Sequence, residues 1–324
     1  MIYMFILVIS NTLVAQIPGI TEAGANIELI KYTPVADAEF LFYSKPISID
    51  AIPVTTEGHP TPAIITKAVK NILNFPIIVV RSGTILYPKI PHIFIHERPG
   101  ENIMENDGLP HIDEILERSE LLGMEFSDLF DNVYIAESVP GGTTTSLAVL
   151  NSLGYEASVS SSMKNNPINL KRKIVENSLK RKKANSWYES LKYFGDPMMA
   201  FIVGFSQGFK KEVYLFGGTQ MLAVAALMKE TGKMPRKIVT TRYVIEDKTA
   251  TFSSTAKDIG VEYYASYLDF SDSKYFGLRD YESGMVKEGV GAGGSVYLAE
   301  KAGIKWEDIK NKIEEIYENI IKKR

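Results

Sequence analysis

The stretch Val133-Tyr134-Ile135-Ala136-Glu137-Ser138-Val139-Pro140-Gly141-Gly142-Thr143-Thr144-Thr145-Ser146 decides the fold class. Its first four residues are apolar or β-favouring and too few for a helix, so they read as a short buried strand. Pro140, Gly141 and Gly142 then turn the chain. A helix is expected from about residue 146 to 153, closed by Gly154. The same order recurs downstream: an apolar run at 213–216, then Gly217-Gly218-Thr219, then a helix to about Glu230 before Gly232. A strand that feeds a glycine turn and then a helix is the repeating half of a parallel βαβ sheet.

Further elements alternate in the same way on either side. Residues 1–10 are apolar, lack a basic leader and a small-residue cleavage site, and are too short to span a bilayer, so a buried first strand is expected. Thr33-Pro34 opens a helix with Asp37 and Glu39 in its early turns. Pro46, Pro53, Gly58, Pro60 and Pro62 make residues 45–62 an irregular connector, and a helix is expected over 63–73. Short strands are expected at 77–80, 90–96, 238–245 and 261–268. Helices are expected at 112–122 (closed by Gly123), 249–259 and 306–321. The fold class is therefore α/β with a parallel sheet, and ligands in such sheets sit at the C-terminal strand ends.

The bulk numbers exclude several functions. The chain has 324 residues, 45% hydrophobic and 23% charged, in keeping with a globular protein. A net charge of −3 offers no general pull toward nucleic acid or anionic membrane. No cysteine is present, which rules out disulfides, Cys-zinc sites and thiolate catalysis and accords with a cytoplasmic location. The basic run that includes Lys171, Arg172, Lys173 and Lys180 to Lys183 has no interleaved aromatic platform and reads as a solvated helix face. His92 and His96 would share a strand face, but no third ligand is evident, so no metal is expected. His59 and His111 stand alone, and without Gly-x-Ser-x-Gly hydrolase chemistry has no support.

Three turns remain as carriers of chemistry. Gly141 and Gly142 expose amides, and Thr143 and Thr144 add hydroxyls, which suits a phosphate cradle; an ordinary capped turn has the same pattern. No Gly-Lys-Ser/Thr follows, so a magnesium triphosphate is not expected. Glu137, at the strand end, is placed to accept from ribose hydroxyls. Gly217 and Gly218 form a second turn, which packing alone would also explain. Near the C-terminus, Glu288-Gly289-Val290-Gly291-Ala292-Gly293-Gly294 sets a carboxylate at the mouth of the densest glycine turn. There it is either a general base or a surface residue.

The order Glu137-x-x-x-Gly141-x-Thr143-Thr144, then Gly217-Gly218, then Glu288-Gly289-x-Gly291-Ala292 resembles nicotinate-nucleotide:dimethylbenzimidazole phosphoribosyltransferase, and most closely the archaeal and cyanobacterial branch related to it. The resemblance spans about residues 55–300, with His59-Pro60, Lys171-Arg172-Lys173, Asp196-Pro197 and Ser271 to Phe276 as supporting pieces. It implies a large Rossmann-like domain over 30–270 and a smaller unit from 1–29 and 271–324. It also implies a homodimer, no metal and no cofactor. The implied reaction moves 5-phosphoribosyl from nicotinate mononucleotide to a benzimidazole, for the lower ligand of cobamides. Glu288 then stands at the general base, and Glu137, Gly141, Gly142, Thr143, Thr144, Gly217 and Gly218 at the ribose and phosphate, with Lys173 beside the phosphate. Gly289 and Gly291 shape the turn at the base, while His59 and Lys67 fall in the acceptor pocket. Two departures stand out. The studied enzymes usually carry Asn where Gly142 stands, and His59 and Lys67 are not the residue types expected of that pocket. Another benzimidazole, a purine or a phenol are therefore open as acceptors, as are another glycosyl transfer and plain nucleotide binding.

Overall fold

The computed structural model describes residues 3–21, 27–50 and 59–322, so residues 51–58 of the proline-rich connector and the first two of the N-terminal strand lie outside the described residues. Seven strands form one parallel sheet: β1 Tyr3–Ile9, β2 Ile77–Ser82, β3 Ile93–His96, β4 Asn132–Ser138, β5 Glu212–Phe216, β6 Lys237–Thr241 and β7 Tyr263–Ser266. The spatial order is β3-β2-β1-β4-β5-β6-β7, with every neighbouring pair parallel. This is the doubly wound, Rossmann-like arrangement, and the order reverses between β1 and β4. There Val8 lies opposite Glu137 and Ile9 opposite Ser138.

Helices cover both faces, which is why residues 4–9 read as an unbroken apolar run: every one is buried. Ile6, Val8, Ile135 and Leu215 face one layer, which holds helices Ile112–Leu129, Gly142–Ser152, Pro197–Gly208 and Gln220–Glu230. Phe5, Leu7, Ile9, Ala136 and Phe216 face the other, which holds Thr33–Phe42, Ala63–Leu73, Ala292–Lys301 and Trp306–Ile321. The second layer thus joins segments from both ends of the chain.

Helix Ile112–Leu129 runs through Gly123 instead of ending there. A Cβ on Gly123 would overlap the Phe205 carbonyl oxygen, so this glycine lets helix Pro197–Gly208 approach closely and does not cap a C-terminus. The strand expected over 238–245 ends at Thr241 and bends into the short helix Arg242–Ile245. The helix after β4 begins at Gly142, four residues earlier than expected, which puts Thr143 and Thr144 in its first turn. Glu39 is fully buried and accepts from the amides of Ile47, Ser48 and Lys89, pinning the start of the connector.

Candidate active site at the switch point of the sheet

The three glycine turns converge over the adjoining ends of β1 and β4. Glu137 is the next-to-last residue of β4 and is buried. A Cβ on Gly217 would lie 3.6 Å from Glu137 Oε1, and one on Gly218 would lie 3.6 Å from the Glu288 Cβ. Gln220 opens the helix after the second turn, and its Nε2 donates to the Val139 carbonyl at 3.2 Å beside Gly142. Glu137, Gly142, Gly217, Gly218 and Glu288 therefore belong to one site. Gly141, with φ 79°, places the start of helix Gly142–Ser152 there too, against Ala15.

The turn that carries Glu288 is strained. Gly289, Val290 and Gly291 have φ of 149°, 56° and 69°. Positive φ is costly for a β-branched residue, about 1–3 kcal/mol, and Val290 keeps it because its backbone is held at both ends. Its amide donates to the Glu137 carbonyl at 2.8 Å, and its carbonyl accepts the Thr66 hydroxyl at 2.8 Å. The Glu288 carboxylate accepts the amides of Gly289 at 3.1 Å and Gly293 at 3.2 Å.

Burial dominates the electrostatics. It pushes the Glu288 carboxyl up to about 7 against the opposing backbone bonds. It pushes Glu137 up to about 8, with the charges of Glu288 and Asp196 adding to the rise. Asp37 and Asp196 flank the pair, each raised to about 6 by burial. Asp37 accepts from the hydroxyls of Thr61 and Ser138, both at 2.7 Å, and Asp196 from that of Thr145 at 2.7 Å. Such a cluster suits proton transfer near neutral pH and stabilisation of developing positive charge.

The remaining expected site residues are placed as follows. Lys173 is exposed, whereas Lys171, two residues away on the same helix, is fully buried with Nζ on the Ser160 carbonyl at 2.9 Å. Burial and the nearby Lys287 lower its ammonium to about 7. Lys67 sends Nζ to the carbonyls of Phe40 and Tyr43, both at 2.6 Å, and so closes the C-terminus of helix Thr33–Phe42. His59 is buried with Nδ1 2.8 Å from Asp280 Oδ2.

Other residues join the site that the sequence had not assigned to it. The serine loop Ser158-Val159-Ser160-Ser161-Ser162 enters through Ser160, whose amide and hydroxyl both lie 3.2 Å from Thr219 Oγ1. Ser162 Oγ reaches the Glu288 carbonyl at 3.5 Å. Asp37, Asp196, Lys171 and Lys287 also join. For the loop, three serines in a row were the clue available, and such runs are common in loops; Lys171 and Asp196 stood in the motifs Lys171-Arg172-Lys173 and Asp196-Pro197 without a role of their own.

Fold and site together define an α/β protein with a Rossmann-like sheet and an acidic, glycine-lined site at its switch point. The chain belongs to the UPF0284 family. It is 55% identical to the UPF0284 protein of Pyrococcus furiosus over 328 residues, which covers 98% of this chain and 99% of that one. The UPF0284 protein of Archaeoglobus fulgidus is 46% identical over 319 residues, with 98% and 94% covered. No protein-family model matches the chain. Among solved structures, the nicotinate-nucleotide-dimethylbenzimidazole phosphoribosyltransferase of Thermus thermophilus superposes with a TM-score of 0.60 over 98% of this chain and 83% of its own, at 15% identity. The likeness is one of fold, and it agrees with the resemblance read from the three turns. Among the described residues, no helix is long and apolar enough to cross a membrane.

Proposed function

We propose that this chain is a phosphoribosyltransferase that moves the 5-phosphoribosyl group of nicotinate mononucleotide to a benzimidazole-type base, giving α-ribazole 5′-phosphate and nicotinate. The observation that carries the reading is the meeting of Glu288 and Glu137 at the switch point, on turns that hold both carboxyls near neutral. The fold shared with the Thermus enzyme supports it.

In this reading the ionised Glu288 takes the proton from the acceptor ring nitrogen. The lone pair of the other ring nitrogen attacks C1′ opposite nicotinate, the bond from C1′ to the pyridine nitrogen breaks, and its electron pair leaves with nicotinate. Inversion gives the α product. Positive charge grows on the ribosyl ring as the bond breaks, and the carboxylates of the site stabilise it. Glu137, protonated at neutral pH, donates to a ribose hydroxyl. The phosphate sits between the start of helix Gly142–Ser152 and the serine loop, where Lys171 takes the role expected of Lys173. The reading carries with it a homodimer in the cytoplasm and leaves the acceptor base to experiment.

The test is product analysis with purified protein, nicotinate mononucleotide and a panel of bases headed by 5,6-dimethylbenzimidazole, with Glu288→Gln alongside. Transfer by the wild type that falls by about a hundredfold or more in the variant supports the reading. Mononucleotide binding without transfer to any base overturns it in favour of a binding protein.

A further inference from the structure

Lys287 stands next to Glu288 and has no counterpart among the residues that carried the family resemblance. Its side chain is buried. Nζ donates to the carbonyls of Ser161 at 2.5 Å, Gly284 at 3.0 Å and Met163 at 3.3 Å, and lies 3.5 Å from Asp247 Oδ2. All three ammonium protons are thus committed, two of them to the serine loop and the Met163 that directly follows it. The backbone of Lys287 is held separately, its carbonyl accepting the Thr241 hydroxyl at the end of β6. A buried ammonium is costly to desolvate, and a neutral residue would serve mere packing better. A single cation that gathers carbonyls from two separate segments does something packing cannot: it sets their spacing.

We propose that Lys287 is a positioning residue that locks the serine loop and the Glu288 turn into one unit, so that seating an anionic group on residues 160–163 and aligning the base occur together. This deepens the proposed function and rests on Glu288 as the base. Asp247 orients the ammonium, and is itself held through Oδ1 by the amide and hydroxyl of Thr249. Loss of the lock leaves the carboxylate on its own amides but frees the loop opposite. Displacements of about 1 Å at a reacting group cost roughly a hundredfold in rate.

The test uses the full chain as Lys287→Met, Lys287→Arg and Asp247→Asn. Lys287→Met is expected to lower kcat by about tenfold or more and to raise KM for nicotinate mononucleotide, with Lys287→Arg recovering most of both. Asp247→Asn should show the same direction with a smaller loss. A folded Lys287→Met with both constants within about twofold of wild type overturns the proposal; if that variant does not fold, unchanged constants in Asp247→Asn do so. Hydrogen exchange supplies a readout independent of turnover. In whichever of these two variants folds, exchange should rise together in residues 158–165 and 288–293, and a rise in only one segment overturns the lock. A wild type that transfers to no base sinks the proposed function, while the exchange measurement still decides on Lys287.

Discussion

The amide of Val290 donates to the carbonyl of Glu137 across 2.8 Å, and that bond ties the turn bearing Glu288 to the strand end bearing Glu137. Neither residue would hold the other without help from a third. Val290 stays at positive φ because the Thr66 hydroxyl anchors its carbonyl from helix Ala63–Leu73.

Thr66→Val keeps the shape of this buried side chain and removes its hydroxyl. The Val290 carbonyl then loses its donor, and a loss of about 1–3 kcal/mol in urea unfolding is expected. Transfer should suffer more than stability, since the freed turn carries Glu288. Thr66→Ser, which keeps the donor, should stay close to wild type; equal losses in both variants would argue against the anchor.

Transfer should depend on pH in one direction. The Glu288 carboxyl is raised to about 7, and only its ionised form accepts a proton. Accordingly, kcat/KM is expected to climb as pH rises through about 7 and then level off. Glu137 is still protonated in this range and adds no charge, so Glu137→Gln should leave that limb at nearly the same pH. A profile that is flat across this range would take Glu288 out of the role of base.

Glu137 should contribute a stability that is lost as pH rises. Its folded value, about 8, lies above its ordinary 4.5. Between these the folded chain holds a proton that the unfolded chain has lost, so the contribution is complete below about 4.5 and gone above about 8. Glu137→Gln removes this slope. Its unfolding free energy should gain on wild type by a few kcal/mol when the two are compared at alkaline pH instead of pH 4, since each tenfold change in proton affinity is worth about 1.4 kcal/mol. Parallel stability curves for the two proteins would contradict the buried, neutral carboxyl.

Gly123→Ala tests the helix pairing behind the sheet. An added methyl would strike the Phe205 carbonyl, so the variant should lose about 3 kcal/mol in thermal or urea unfolding although alanine is the better helix former. A gain in stability would mean that the two helices are not in close contact at Gly123.

Local chemistry was legible wherever a residue's meaning depends on its immediate neighbours. The strand and turn at 133–142, the helices at 63–73 and 306–321, and the carboxylate at a glycine turn could all be read in order along the chain, since periodicity and glycine act over a few residues. Gly123 shows where that reading stops. A glycine after an apolar helix signals an end by local rules, and only the backbone of residue 205 lying against it makes it an interior contact. The lysines show the same limit. Lys171 and Lys173 are equivalent in the run Lys171-Arg172-Lys173, but they leave the helix in different directions, one to the serine loop and one to solvent.

The sequence by itself thus determined the α/β class and the three turns, and singled out both glutamates as candidates. Tertiary structure alone decided which charged groups share the site: Asp37, Asp196, Lys171 and Lys287 come from segments far apart in the chain. The reason is physical. Strand and helix propensities are set within a turn or two of chain, whereas the burial that raises a carboxyl or lowers an ammonium exists only once a parallel sheet has brought distant strand ends to one edge.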